Sequence, residues 1–167
     1  VGRLLARHPG FVAATEHVIH GTTLVSNAVI ERKGARTAVI ATRGFADILE
    51  MRREIRYDIY DIGAVYPTPL VERNARREVT ERVGSDGGVL TPLDEADAAR
   101  VLAALAAEGV ESVAVCLLHA YANPAHERAI ERLAAAHPAL AVSLSSEVLP
   151  EIKEFERTAT TAVNAYV

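Results

Sequence analysis

The sequence predicts an α/β fold: a mixed, largely parallel sheet with flanking helices. Three observations carry that expectation. Apolar runs of strand length alternate with amphipathic helical patterns over most of the chain, as successive βαβ units require. The run 113–118 is apolar at every position, which suits a strand covered on both faces. Asp86-Gly87, between two strand-like runs, marks one hairpin that interrupts the alternation.

The elements follow in order. Residues 1–8 read as a helix tail stopped by Pro9-Gly10. Val18-Ile19 is a short apolar run that meets His20-Gly21-Thr22-Thr23. A helix is predicted over 24–33, with Gly34 at its C′ position. Residues 37–41 form a buried strand closed by Thr42-Arg43-Gly44, and a short helix over 45–51 places Phe45, Ile48 and Leu49 on one side. Residues 52–66 carry several charges and no period; with Pro67 and Pro69 behind them they read as a structured loop. Strand-like runs at 78–83 and 89–90 flank the hairpin turn.

The second half is more regular. Asp94 is an N-cap, with Leu93 as a staple against Ala98. Ala98, Val101, Leu102 and Leu105 form the apolar stripe of a helix that Gly109 ends. Asn123-Pro124 is an N-cap plus N1 proline for a helix that runs to about Ala136 and buries Ile130, Leu133 and Ala134. Residues 140–144 form another strand. Pro150 opens a last helix with Ile152, Phe155, Ala159, Ala162, Val163 and Tyr166 on one face.

Composition narrows the function classes. The 167 residues are half hydrophobic, enough for one cored domain, and are read as a single unit over 1–167. Eighteen basic against 22 acidic side chains give a net charge of −4, which argues against a general nucleic-acid binder. The single cysteine, Cys116, excludes an intrachain disulfide and a four-cysteine zinc site. The longest apolar run, 101–107, is too short to span a membrane, and no secretory signal opens the chain, so a cytoplasmic location is the expectation. The chain begins without Met and stops inside a helical pattern, so it is expected to be a segment of a longer protein.

In an open α/β sheet, ligands sit beyond the carboxyl ends of the strands. His20-Gly21-Thr22-Thr23 combines a glycine, two hydroxyls and the free N–H groups of a helix start, which suits an anion; a threonine that merely caps the helix explains the same residues. Arg52, Arg53 and Arg56 can clamp a carboxylate or phosphate, or form a solvated loop neutralised by Glu50, Glu54, Asp58 and Asp61. Glu147, Glu151, Glu154 and Glu156 offer acid–base groups or a solvated helix face, with Glu154 and Glu156 on different sides. Cys116 lies mid-strand and is expected to be inert, and His119 and His126 lack metal-ligand companions at a convincing spacing. No Walker or dinucleotide loop, zincin motif or nucleophile elbow is present.

Several stretches together resemble one family. They are Val18-Ile19-His20-Gly21-Thr22-Thr23 with Ser26-Asn27-Ala28 and Glu31-Arg32-Lys33-Gly34; Thr42-Arg43-Gly44-Phe45; the run from Ala114 through Leu118-His119-Ala120-Tyr121-Ala122-Asn123-Pro124 to His126-Glu127; and the ending from Ser145-Ser146-Glu147 through Glu154-Phe155-Glu156-Arg157-Thr158 to Val167. This set resembles the N-terminal domain of the hydantoinase A/5-oxoprolinase family, nearly end to end. The resemblance implies an actin-like ATPase (ribonuclease H-like) fold whose opening strand, with an Asp-x-Gly-Gly-Thr phosphate loop, lies upstream of Val1. It implies ATP-dependent hydrolysis of cyclic amides through a phosphorylated substrate, with ATP and Mg²⁺, a B-type subunit or domain, and a homo- or hetero-oligomer. The isolated segment is accordingly expected to be inactive, and to self-associate through uncovered faces or be only marginally stable.

By the same resemblance, His20, Gly21, Thr22 and Thr23 line the substrate or phosphoryl region, Asn27 supports Thr23, Arg53 contacts an anion and Glu147 has a polar role at the cleft. No residue is assigned to the chemical step or to a metal. Where the family often has Gly-Arg-Gln this chain has Arg52-Arg53-Glu54, so only Arg53 carries over. The alternatives are a segment of an ATP-dependent ketone carboxylase and a non-catalytic binding domain.

Overall fold

Two runs rich in β-branched and small apolar residues, Thr37–Thr42 (β1) and Ser112–Cys116 (β5), lie side by side in parallel, and every residue of both is buried. The structure is a computed structural model describing residues 23–53, 60, 61, 63 and 65–167. Arg76–Val79 (β2) flanks β1 and Ala141–Leu144 (β6) flanks β5, so the sheet order is β2-β1-β5-β6, parallel throughout. Arg82–Val83 (β3) and Val89–Thr91 (β4) form a separate antiparallel hairpin. The helices are Leu24–Glu31 (α1), Ile48–Met51 (α2), Glu95–Ala107 (α3), Ala125–Ala134 (α4), Ser145–Val148 (α5) and Glu154–Tyr166 (α6).

Alternation along β1 and β5 divides the core in two. Ala38, Ile40, Val113 and Val115 face α3 and α4, meeting Ala98, Val101, Leu102, Leu105, Ile130 and Ala134. Val39, Ala114 and Cys116 face the other way, onto Ala162 and Ala165 of α6. Leu102, Leu105 and Ile130 are fully buried, each contributing about 1.5–3 kcal/mol by leaving water. Among the described residues, no helix is long and apolar enough to cross a membrane.

Local chemistry sets the boundaries. Asp94 caps α3 by accepting from the Asp97 N–H at 2.9 Å, and Gly109 takes the left-handed φ of +75° that stops it. The run read as one strand over 78–83 divides between two sheets. Thr80 gives its N–H and hydroxyl to Asp97, its carbonyl accepts from the Asp94 N–H, and Glu81 turns inward. Asn123 acts two residues before α4: its Oδ1 accepts from Ala125 N–H while its Nδ2 donates to the Gly87 carbonyl, tying the helix to the hairpin turn. Leu133 is only partly buried.

The last helix differs most from expectation. A single turn, α5, follows β6 directly, and α6 begins at Glu154 rather than Pro150, leaving Ile152 71% exposed. Its buried face includes Ala162 and Tyr166 as expected, but is completed by Arg157, Thr158, Thr161 and Ala165. Thr161 returns its hydroxyl to the Arg157 carbonyl at 2.6 Å, so the polar side chain is buried without losing its bond.

The first helix also ends earlier than 33, because Arg32 adopts the left-handed conformation (φ 53°). Gly34 serves another purpose, close approach: a Cβ there would lie 2.3 Å from the Tyr166 ring and carbonyl, and the next residue, Ala35, donates to that carbonyl. Gly34→Ala is therefore expected to destabilise the full-length protein by about 1–3 kcal/mol through overpacking, read by denaturant unfolding. An unchanged midpoint would contradict the close packing.

Candidate functional site at the carboxyl ends of β1 and β5

The chain leaves β1 toward β2 on one side and leaves β5 toward β6 on the other. The loops after these two central strands diverge, which is where open parallel sheets place ligands. Thr42 ends β1 and joins the two strand ends: its Oγ1 accepts from the Leu118 N–H at 2.9 Å and donates to Glu81. The other Glu81 oxygen accepts from His126 Nδ1 at 2.7 Å. The Glu81 side chain is completely buried, so this hydrogen-bonded chain fixes both the hydroxyl and the imidazole.

A second network holds the loop after β5. Glu127, on α4, is fully buried. Its Oε1 accepts from Leu117 N–H (2.9 Å) and Ser145 Oγ (2.6 Å); its Oε2 accepts from Ser146 N–H (2.9 Å) and Ser146 Oγ (2.7 Å). Arg157, on α6, is equally buried and donates to Ser145 Oγ, the Glu151 carbonyl and the Leu117 carbonyl, at 2.8–3.1 Å. The Leu117 peptide is thus held from both sides, by a carboxylate at its N–H and a guanidinium at its carbonyl.

Polar groups gather where this clamp releases the chain. His119 has a left-handed backbone (φ 57°), and its Nδ1 lies 2.8 Å from the Val83 carbonyl of the hairpin. Arg82 stacks over Phe45 at 4.8 Å and Arg157 lies over Tyr121 at 5.7 Å. Glu154, at the start of α6, is half-buried and lies within electrostatic range of Arg157, His119 and Arg82. Burial pushes its carboxyl above the usual range, against the pull of those three groups. The turn after β1 is already filled: Gly44 and Ala46 N–H both donate to Glu78 Oε1.

The residues singled out from the sequence are placed as follows. His20, Gly21 and Thr22 lie outside the described residues. Thr23 is exposed at the start of α1, makes no side-chain cap, and meets Asn27 only through the ordinary helical bond from Asn27 N–H to its carbonyl. Arg53 pairs with Glu156 beside a largely apolar groove of about 500 Å³ lined by Leu49, Tyr66, Pro67, Phe155 and Val163. Glu147 is exposed on α5. Cys116 is buried among apolar side chains, and burial pushes its thiol far above the ordinary value. Among the described residues, no three His, Cys, Asp or Glu side chains converge to hold a metal ion.

Sequence reasoning gave no role to Glu81, Glu127 or Arg157, though the last two stand in the stretches that carry the family resemblance. A signal existed for two of them. Glu127 is spaced with Ile130 and Ala134, and Arg157 with Thr161 and Ala165, each on the buried face of its helix. A charge on a core stripe marks a paired interior group.

Two outcomes test this wiring in the full-length protein. Glu127→Ala leaves Arg157 buried beside unsatisfied donors and is expected to cost about 3–5 kcal/mol of unfolding free energy; a loss typical of a surface substitution would contradict the network. A carboxyl held above its ordinary value adds stability at acid pH and loses it as pH rises through the folded value. Glu154→Gln should therefore raise the melting temperature more at about pH 8 than at about pH 4, and equal shifts would contradict the placement.

Comparison with known proteins agrees with the architecture. Residues 3–137 match the hydantoinase/oxoprolinase N-terminal region. Caprolactamase subunit alpha of Pseudomonas jessenii is 38% identical over 167 residues, covering 98% of this chain and 24% of that protein. 5-Oxoprolinase 1 of Arabidopsis thaliana is 35% identical over 166 residues, covering 88% and 13%. The crystal structure of the ATP-dependent caprolactamase from Pseudomonas jessenii superposes with a TM-score of 0.83 and 34% identity, over 99% of this chain and 25% of that one. A nucleotide-free acetone carboxylase structure gives 0.75 and 32%, over 85% and 22%. This chain spans about a quarter or less of the length of these curated relatives. The match across most of its residues, on the same strand and helix framework, makes the chain a member of the hydantoinase/oxoprolinase N-terminal region family.

Proposed function

We propose that this chain is the N-terminal segment of an ATP-dependent cyclic-amide hydrolase of the hydantoinase/5-oxoprolinase type. The likeness to the ATP-dependent caprolactamase over almost the whole chain carries this reading. The polar side chains gathered beyond the carboxyl ends of β1 and β5, where parallel sheets of this kind place ligands, support it. In this reading ATP phosphorylates the amide oxygen, converting a poor electrophile into one open to water. Phosphoryl transfer of this kind depends on positioning and on neutralising developing charge. The segment belongs to an actin-like ATPase fold in the cytoplasm, working with a B-type subunit, and is inactive alone. His20, Gly21, Thr22 and Thr23 remain the proposed phosphate- or substrate-facing stretch, with Asn27 behind Thr23, Arg53 as an anion contact and Glu147 at the cleft margin. Mg²⁺ would neutralise charge on the phosphates, and no residue of this segment is assigned to hold it.

A ketone carboxylase segment is the second reading, favoured by the likeness to acetone carboxylase. One assay separates them. The full-length protein with its B-type partner is given ATP with ε-caprolactam, 5-oxoproline or hydantoin, and separately with acetone and bicarbonate. Amide-dependent ADP release with ring opening is the expected result. ADP release only with ketone and bicarbonate would replace the first reading by the second, and no ATP consumption with either would overturn both.

A further inference from the structure

His119 is not used by either buried network. In the neutral ring, Nδ1 must carry the proton, because the Val83 carbonyl 2.8 Å away can only accept. The lone pair is therefore on Nε2, which has no hydrogen-bond partner among the described residues. The backbone at His119 is left-handed, a conformation that non-glycine residues adopt at a cost and that gathers at functional sites. The Leu117 clamp, the Thr42–Leu118 bond and the Val83 anchor together impose it. His126 differs, since its ring is closed into the Glu81 network with 12% of its side chain exposed.

We propose that His119 is the base of the first chemical step, its Nε2 taking the proton of the substrate's amide nitrogen as the amide oxygen is phosphorylated. This rests on the cyclic-amide reading above. The step balances: the N–H bond breaks and its electron pair forms C=N, the C=O π pair forms the new O–P bond, the P–O bond to ADP breaks with its pair on ADP, and the proton ends on Nε2. Without a base, phosphorylation would leave a cationic, N-protonated imidate; taking the proton in the same step gives the neutral C=N product. The imidazolium that forms lies within electrostatic range of the Glu154 carboxyl, as do Arg157 and Arg82.

The test uses the full-length protein with its B-type partner and the amide that the wild type hydrolyses. His119→Asn keeps a donor for the Val83 carbonyl and tolerates the left-handed backbone, so it preserves the fold while removing the base. The expected result is a kcat lower by roughly 10²–10⁴-fold, an unchanged KM for ATP, an unchanged melting temperature and partial rescue by free imidazole. A kcat within about threefold of wild type, or a loss confined to KM, overturns the assignment. Diethyl pyrocarbonate labelling with peptide mapping gives a readout independent of turnover: His119 should label, and the amide should protect it. A His119 that stays unlabelled overturns the proposal. If the wild type hydrolyses no cyclic amide, the functional reading fails and the base assignment falls with it. If wild type and His119→Asn hydrolyse it equally, the base assignment alone fails.

Discussion

The bonds of Glu127 are the interactions on which the loops at the carboxyl end of the sheet depend. A carboxylate taken out of water costs several kcal/mol unless its lone pairs are met. Here four donors meet them, and the buried Arg157 balances the charge through Ser145. The two side chains hold the Leu117 peptide by its N–H and its carbonyl, so the strand β5 must stop there with both backbone groups satisfied. The chain then turns at once, and His119 takes up its left-handed backbone. The same carboxylate binds Ser145 and Ser146, fixing where β6 ends and α5 begins.

From that clamp the site is assembled by short ties between otherwise distant elements. Thr42 links the ends of β1 and β5. Val83 and Gly87 bring the hairpin against His119 and Asn123. Preorganised donors and acceptors of this kind need no rearrangement when substrate arrives. The apolar layers on either face make the sheet rigid enough to hold such a site on diverging loops.

Most of the scaffold was legible in the sequence because it obeys simple periodicities. The all-apolar run of β5 read as a two-sided strand, and the Ala98, Val101, Leu102, Leu105 stripe with its Asp94 cap read as α3. Where the reading missed, a tertiary contact had overruled a local signal. Gly34 looked like a helix stop but makes room for Tyr166. The run 78–83 looked like one strand, but Thr80 and Glu81 spend their hydrogen bonds on Asp97, Thr42 and His126. The last helix was framed on its apolar residues, whereas its buried face centres on Arg157 and Thr161. The candidate site was harder still. Glu81 and His119 acquire meaning only from partners 36 or more residues away, and no local pattern announces such pairs; Glu127 shows itself only as a charge on the buried stripe of its helix.

Substrate binding at the carboxyl ends of β1 and β5 is the proposal on which the functional reading turns. Hydrogen exchange of the full-length protein, with and without ε-caprolactam and ATP, tests it most directly. Added protection is expected in the peptides that contain residues 42–46, 81–83 and 117–121. Protection confined to the groove beside Arg53, with those three segments unchanged, would contradict it.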